Sequence, residues 1–266
     1  MKAKQCLKIS EVLLWLFMAS LHGQESQPEP MVLPGPSDGG KGGQSGSVSL
    51  VHESSKANKI TDDENWWKVN ELEKPMIYQR FPAVTKGKAP TDAPENYRGA
   101  NLVAAWKTAN GVFLAYGESI YRAKYLLVTG SEGKVAHHFD AREYGNVAWS
   151  DLINGMLYLT SNPGNLSAGD GGGARIFAID LKTKSLKWSS DEKVCHGQFV
   201  VVAGSVICSY GFTGEPDAIT VFDRFTGDHI QKVKLKTAAS WMIPKGERLY
   251  VRCYNTEEVF RVVLRD

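Results

Sequence analysis

The sequence predicts an all-β fold built from repeated four-stranded antiparallel units. From about Asn101 onward, short apolar runs alternate with turn residues, and no stretch has the periodicity of an amphipathic helix. Turns that contain glycine recur in this region with spacings of 44, 49 and 42 residues, at Gly111, Gly155, Gly204 and Gly246. A repeat of this length, made of strands in place of helices, is typical of the blades of a propeller.

Each of these turns joins two apolar segments, and a third apolar segment follows. The dipeptides Asn110-Gly111 and Asn154-Gly155 are strong hairpin signals, because both residue types tolerate positive φ. A fourth segment follows in three of the four units, which makes four strands per unit. The sequence therefore predicts a β-propeller of about four to five four-stranded antiparallel blades, as a complete or a partial ring.

The last unit ends early, because Glu258 to Leu264 supplies only its third strand. Unpaired sheet edges invite aggregation, so an N-terminal segment is expected to supply the missing outer strand and close the ring. We place that segment within residues 62–82, where Trp66 and Trp67 can anchor it to the domain.

Two copies of one turn motif occur, in IFAIDLKTKSLKW (176–188) and ITVFDRFTGDHIQ (219–231). The aspartate of each copy is expected to accept hydrogen bonds from backbone N–H groups two or three residues later. Trp188, eight residues after the first aspartate, is expected to cover the junction with a neighbouring blade. The residues assigned to these blade turns are Asp180, Thr183, Trp188, Asp223, Thr226 and Gly227.

The pattern Ala178-x-Asp180-x-x-Thr183-x-x-x-x-Trp188 resembles the "AxDxxTGxxxW" repeat of PQQ-like (quinoprotein dehydrogenase-like) β-propellers. The resemblance covers residues 100–266, with two departures: Lys184 replaces the glycine of the first copy, and Gln231 replaces the tryptophan of the second. The resemblance implies one of two roles, a quinone enzyme with calcium and an aspartate base or a non-catalytic scaffold of the cell envelope. The sequence also looks like exported bacterial repeat proteins of uncharacterised role.

Loops at one rim of a propeller converge on its central channel, so their polar side chains can share a pocket. Five such side chains are candidate ligand-binding residues, although the same charges can also form an ion-pair network along the rim: His196, Glu215, Asp217, Arg252 and Tyr254.

The function predicted from these features is an exported binding or scaffold module without catalysis, whose loop rim binds a protein or glycan partner in the cell envelope. The alternative is an oxidoreductase that depends on quinone (PQQ) and calcium, or a fragment of one. Calcium takes six to eight oxygen ligands, and only Glu215, Asp217 and Asp170 are loop acids near the expected rim. We therefore expect no cofactor and no metal.

Residues 1–23 have the features of a signal peptide, with Lys2, Lys4 and Lys8 ahead of an apolar core from Val12 to Leu21. Residues 24–60 are rich in Gly, Pro and Ser and are predicted to be a disordered linker. Residues 61–266 are then the propeller repeat domain. This organisation predicts a secreted or periplasmic protein with no membrane span in the mature chain.

Charge and cysteine content exclude several classes of function. The chain has a formal net charge of +2, and residues 1–23 carry three lysines and one glutamate, so the mature chain is close to neutral. Such a chain lacks the excess of basic residues that binds nucleic acid.

The cysteine content limits the chemistry further. Cys195, Cys208 and Cys253 remain after export, and no CxxC motif occurs. One disulfide with one buried thiol, or three buried thiols, both fit this count.

Overall fold

The computed structural model of the protein describes residues 46–58, 63–81, 84–130, 133–162, 173–211 and 215–265. The predicted signal peptide, residues 1–23, lies outside the described residues. Within the described ranges the chain forms one short helix and nineteen strands. No helix in these ranges is long and apolar enough to cross a membrane.

The helix α1 spans Asp63–Val69. The strands are β1 Val48–Ala57, β2 Ile77–Phe81, β3 Val84–Lys86, β4 Asn96–Tyr97, β5 Ala100–Thr108, β6 Gly111–Gly117, β7 Ala123–Thr129, β8 Val135–Asp140, β9 Asn146–Ile153, β10 Met156–Asn162, β11 Ile176–Asp180, β12 Ser185–Ser189, β13 Phe199–Val202, β14 Ser205–Tyr210, β15 Ala218–Asp223, β16 His229–Lys234, β17 Ala239–Lys245, β18 Arg248–Cys253 and β19 Thr256–Leu264.

The strands form four four-stranded antiparallel blades, which confirms the predicted fold. The first blade is β5-β6-β7-β8, the second is β9-β10-β11-β12, and the third is β13-β14-β15-β16. The fourth is β17-β18-β19-β1. The first blade also pairs β2, β3 and β4 along its β5 edge. In the described residues the blades form an arc and not a closed ring.

The outer strand of the fourth blade is β1, and this corrects two predictions. Residues 48–57 belong to the predicted disordered linker, yet they pair with β19 from Val48–Leu264 to Ala57–Thr256. Residues 62–82, where this strand was expected, form α1 and β2 instead. Only Val48 and Leu50 of β1 are buried, and residues 51–57 are exposed and mostly polar. Such a strand cannot be recognised from its local composition, because its pairing partner lies about two hundred residues away in the sequence.

Apolar side chains between the sheets hold neighbouring blades together. Trp106 of β5 stacks on Trp149 of β9 with ring centroids 5.2 Å apart, and its indole N–H donates to the Ser150 carbonyl at 2.9 Å. This core cluster continues through the second blade to Phe199 and Phe222 of the third. A second cluster joins the third and fourth blades and includes Val48 and Leu50.

The predicted aspartate turns form as expected. Asp180 Oδ1 accepts from the N–H groups of Lys182 and Thr183 at 2.9 and 3.0 Å. Asp223 Oδ1 accepts in the same way from Phe225 and Thr226 at 2.8 and 2.9 Å. These bonds hold the pKa of the Asp180 carboxyl below its usual range, with the Thr183 N–H the largest contributor.

Trp188 of the second blade docks on the Asp223 turn of the third blade, which confirms the predicted cover of the junction. Its indole N–H donates to the Arg224 carbonyl at 2.9 Å, and its ring stacks on Phe222. Gly227 lies directly against the indole, because a Cβ at that position would be 2.7 Å from Trp188 Cγ. The φ of Gly227 is 78°, so both the conformation and the space require glycine.

The third blade carries Gln231 at the register position of Trp188. Ala178 is opposite Trp188 in the second blade, and the equivalent Val221 is opposite Gln231 in the third. The Gln231 amide accepts from the Leu50 N–H at 2.7 Å and donates to the Leu50 carbonyl at 3.0 Å. The next blade has no Asp–Thr–Gly turn for a tryptophan to cover. The amide therefore binds the backbone of β1 instead.

Two segments outside the blades cover the terminal faces of the arc. Trp66 and Trp67 of α1 and Leu72 pack on the face of the fourth blade that carries Trp241 and Tyr250. The free face of the first blade is covered by Tyr78 of β2 and by apolar residues between 89 and 100. The residues expected to anchor the N-terminal segment, Trp66 and Trp67, thus do so from a helix.

Gly227→Ala is expected to destabilise the protein by about 2–4 kcal/mol, because it adds left-handed strain and forces a methyl group into the Trp188 ring. Gly155→Ala is the matched control: Gly155 has a φ of 79° with no atom within 4 Å of its Cβ position, so it should cost only about 1 kcal/mol. Urea unfolding measures both values. Equal losses would mean that the Trp188 contact does not restrict this turn.

Gln231→Ala is expected to cost about 1–2 kcal/mol, because two backbone groups of Leu50 lose their partner. Amide hydrogen exchange in β1 should accelerate more than exchange in β14 of the same variant. Lys232→Ala, an exposed change on the same strand, serves as the control. Unchanged protection of β1 in Gln231→Ala would contradict the assigned role of this amide.

Candidate functional site

The five predicted ligand-binding residues all lie on one edge of the arc, which we call the link rim. At this rim the second strand of a blade ends and the third begins, as seen at 118–122 in the first blade, at Gly211 and 215–217 in the third, and at 254–255 in the fourth. One blade also passes into the next there, at 141–145, 190–198 and 235–238. The structure separates the five residues into two neighbouring groups.

His196 and Glu215 belong to the first group, and Tyr210 connects them. The His196 ring lies edge-on to the Tyr210 ring, with centroids 5.6 Å apart. The Tyr210 hydroxyl donates to Glu215 Oε2, and Glu215 Oε1 forms an ion pair with Lys193 Nζ at 2.8 Å. Lys193 and Tyr210 together hold the pKa of the Glu215 carboxyl below its usual range.

Arg252 and Asp217 belong to the second group, around Cys253. Arg252 is 1% exposed, and its Nη1 donates to Glu257 Oε1 at 2.7 Å. The Asp217 carboxylate lies over the backbone of Gly211, and burial raises its pKa. Tyr254, at the turn after β18, is half-buried and donates its N–H to the Ala238 carbonyl at 3.1 Å.

These contacts favour a supporting role for most of the five residues. Arg252 is enclosed and ion-paired, and His196 is half-buried with its Nδ1 atom shielded from solvent. Neither side chain can reach a large partner without rearrangement. Ligand binding by these five residues stays a prediction.

The described residues do not fit the metal that the quinone alternative needs. Calcium takes six to eight oxygen ligands, several of them carboxylates. In the described part of the chain, no three His, Cys, Asp or Glu side chains come together in a group that could hold a metal ion.

A second feature of the link rim lies at the first blade, beside its connection to the second blade. It is a groove of about 640 Å³ that we call the basic groove. Its walls come from the start of β5, the turn between β6 and β7, and the connection from β8 to β9. Four basic side chains and one acid, Glu118, line it: Arg98, Arg122, Lys124 and Arg142.

Asp140 orders one wall of the basic groove. Arg142 makes a bidentate contact with it, through Nε–Oδ1 at 2.8 Å and Nη2–Oδ2 at 2.6 Å. Arg98 Nη1 approaches the same carboxylate at 3.6 Å. The hydrogen bonds from Arg142 are the main reason that the pKa of the Asp140 carboxyl is below its usual range. One carboxylate thus holds two guanidinium groups at the groove.

Tyr125 lies close to both of these guanidinium groups. Arg142 is 5.6 Å and Arg98 is 5.8 Å from the centre of its ring, which is within cation–π distance. Tyr97 packs edge-on against Tyr125 and beside His138. The aromatic cluster therefore supports the arginines from behind and limits their motion.

The other wall is less constrained. Arg122 and Glu118 form an ion pair at 3.2 Å, but their side chains are 63% and 79% exposed. Such a surface pair contributes little to stability, so Arg122 can exchange Glu118 for an external carboxylate at low cost. Lys124 lies beside it on the same groove wall. The arrangement can bind an anionic group between one fixed and one adaptable pair of cations.

Sequence reasoning missed the basic groove, although part of its signal was visible. Arg122 and Arg142 lie in the same kinds of connection, between the second and third strands and between blades, that drew attention to Glu215 and His196. No sequence pattern indicated Arg98, because its position at the groove depends on the pairing of β4 with β5.

Comparisons with known proteins give no family assignment by sequence. No protein-family model matches the chain, and no curated protein matches it significantly.

Solved structures of similar shape include propellers. The WD40 β-propeller domain of Doa1 is 15% identical with a TM-score of 0.43, over 60% of this chain and 52% of that one. BamB from Moraxella catarrhalis is 13% identical with a TM-score of 0.33, over 58% and 55%. The quinohemoprotein alcohol dehydrogenase ADHIIG from Pseudomonas putida HK5 is 16% identical with a TM-score of 0.39, over 55% and 27%.

This chain thus spans about half of the first two structures and about a quarter of the third. At these scores the likeness adds no argument about function. The fold rests on the strand order of the four blades. The aspartate turns and the docked Trp188 agree with that propeller fold.

Acid should destabilise the protein through His196. Burial lowers the pKa of its imidazole from 6.5 to about 4, so the unfolded chain binds a proton in this interval and the folded chain does not. The stability contributed is complete above pH 6.5 and is lost as the pH falls towards 4, by about 2–3 kcal/mol.

His196→Gln should remove this part of the pH dependence, whereas His229→Gln, at an exposed position, should leave it unchanged. The measurement is urea unfolding at several pH values between 4 and 7. Parallel pH profiles for wild type and His196→Gln would contradict the assignment.

Proposed function

We propose that this chain is an exported β-propeller module that binds an acidic segment of a protein partner in the cell envelope, without catalysis. The binding site is the basic groove of the link rim. Export and the envelope location rest on the basic and apolar pattern of residues 1–23.

The observation that carries the proposal is the excess of basic side chains in the basic groove. The chain as a whole is close to neutral, with 31 basic and 29 acidic residues. The groove instead has four cations, against Glu118 among its lining residues and Asp140 behind one wall. A local excess of one sign attracts and orients a partner of the opposite sign.

The surroundings of the Tyr125 ring favour a charged peptide over a glycan as the ligand. Sugar rings bind proteins partly by packing on exposed aromatic faces. Here Arg98 and Arg142 both lie within cation–π distance of the Tyr125 ring. The groups left to meet a ligand are guanidinium and ammonium donors, which match carboxylates.

The oxidoreductase alternative has less support. It needs a carboxylate-rich metal site beside the quinone, and the rim acids are used elsewhere. Glu215 is paired with Lys193, and Asp140 is paired with Arg142. Non-catalytic binding needs only the groove.

Arg122→Glu/Lys124→Glu is expected to weaken binding of a fluorescent octaglutamate peptide at least about tenfold, because two attractions become repulsions. Wild-type binding should also weaken as salt is raised. The matched control is Lys232→Glu/Lys234→Glu, which makes the same charge change at exposed positions of β16 and should bind as wild type does. Fluorescence anisotropy measures all three proteins.

An octaglutamine peptide and polygalacturonate complete the experiment. The glutamine peptide should not bind. The wild-type protein could instead bind polygalacturonate and not octaglutamate, and the groove variant could lose that binding. This result would show that the partner is an acidic glycan and not a protein. Equal binding by the groove variant and the control would overturn the basic groove as the site.

A further inference from the structure

Two of the three cysteines of the described chain lie together in one buried core. Cys195 is in the connection between β12 and β13, and Cys208 is in the middle of β14. Both are 0% exposed, both are thiols, and both belong to the core cluster that joins the first three blades.

Backbone and side-chain contacts place the two thiols side by side. The N–H of His196, next to Cys195, donates to the carbonyl of Ser209, next to Cys208, at 3.3 Å. The Cys208 thiol lies 3.7 Å from the carbonyl of Val194, on the other side of Cys195. Contact with the Cys208 thiol adds to burial in raising the pKa of Cys195.

Cys253 is in a different environment. It belongs to the cluster between the third and fourth blades, and its neighbours include Asp217, Arg252 and Glu258. Burial raises the pKa of this thiol to about 12. The geometry therefore separates the three thiols into one pair and one isolated thiol, a division that composition does not provide.

We propose that Cys195 and Cys208 form a disulfide when the chain folds in an oxidising compartment. The two thiols lose two protons and two electrons and form one S–S bond. The electron acceptor is another disulfide, such as oxidised glutathione or a protein thiol oxidant, which is reduced to two thiols through a mixed disulfide. This inference does not depend on the basic groove.

Burial determines when the bond can form. Neither sulfur can be reached in the folded blade, so the exchange takes place before the connection 190–198 closes over β14. The disulfide then ties this connection to the third blade, at the junction that Trp188 also covers. It stabilises the fold mainly by restricting the unfolded chain.

The sequence makes the bond easy to detect. No Lys or Arg occurs between Lys193 and Arg224, so trypsin releases both cysteines in one peptide, residues 194–224. The full chain is refolded in a glutathione redox buffer, then unfolded in guanidinium chloride that contains iodoacetamide, which blocks the buried thiols as they become exposed, and digested without reductant. This peptide should be unalkylated and lighter by two hydrogen atoms than its reduced form, whereas the peptide 253–261 should carry one alkyl group.

Thermal unfolding provides a second readout that needs no variant. The oxidised chain should melt about 5–10 °C above the reduced chain. Cys195→Ser/Cys208→Ser should lose this difference, and Cys253→Ser should keep it. Alkylation of both cysteines in peptide 194–224, after the chain has been refolded in the redox buffer and unfolded for blocking, would overturn the proposal, as would a bond from either cysteine to Cys253.

Discussion

The constraint on which the structure depends is that each blade is apolar on both faces. In a closed ring every blade face packs on a neighbouring blade, but in an arc of four blades two terminal faces have no neighbouring blade. The chain covers one with Trp66 and Trp67 of α1 and the other with Tyr78 and the residues between 89 and 100. A buried tryptophan stabilises a fold by a few kcal/mol. Trp66, Trp67 and Tyr78 are therefore part of the domain core, although they belong to none of the four-stranded blades.

The departures from the repeat motif follow from what each blade meets next to it. Trp188 meets an Asp–Thr–Gly turn and needs Gly227 beneath its ring. Gln231 meets the polar backbone of β1, and an amide satisfies both backbone groups of Leu50 where an indole could satisfy only one. Lys184, in the glycine position of the second blade, adopts a φ of 55° at a strain cost. The residues at the motif positions thus depend on the contacts between blades as well as on the geometry of the turn.

The link rim combines two kinds of polar structure. At the third and fourth blades several of its charges are paired with one another, as Arg252 is with Glu257 and Glu215 is with Lys193. At the first and second blades its cations are held at an open groove by Asp140 and Tyr125. Charges of the first kind stabilise the blades, and charges of the second kind remain available to a partner. Both kinds arise from the same loops, so position in the repeat alone does not distinguish them.

The sequence by itself determined the features that depend on neighbouring residues. Strand alternation, glycine-containing turns and the bonds of Asp180 and Asp223 to their own turns are local, so four-stranded blades could be predicted, although their number was left at four to five. Only the tertiary structure decided which distant segments meet. The pairing of β1 with β19, the convergence of Arg98 and Arg142 on Asp140, and the division of the cysteines into a pair and a single thiol each join elements from separate parts of the chain. Their energies depend on burial and distance in the folded state, which composition and spacing do not contain.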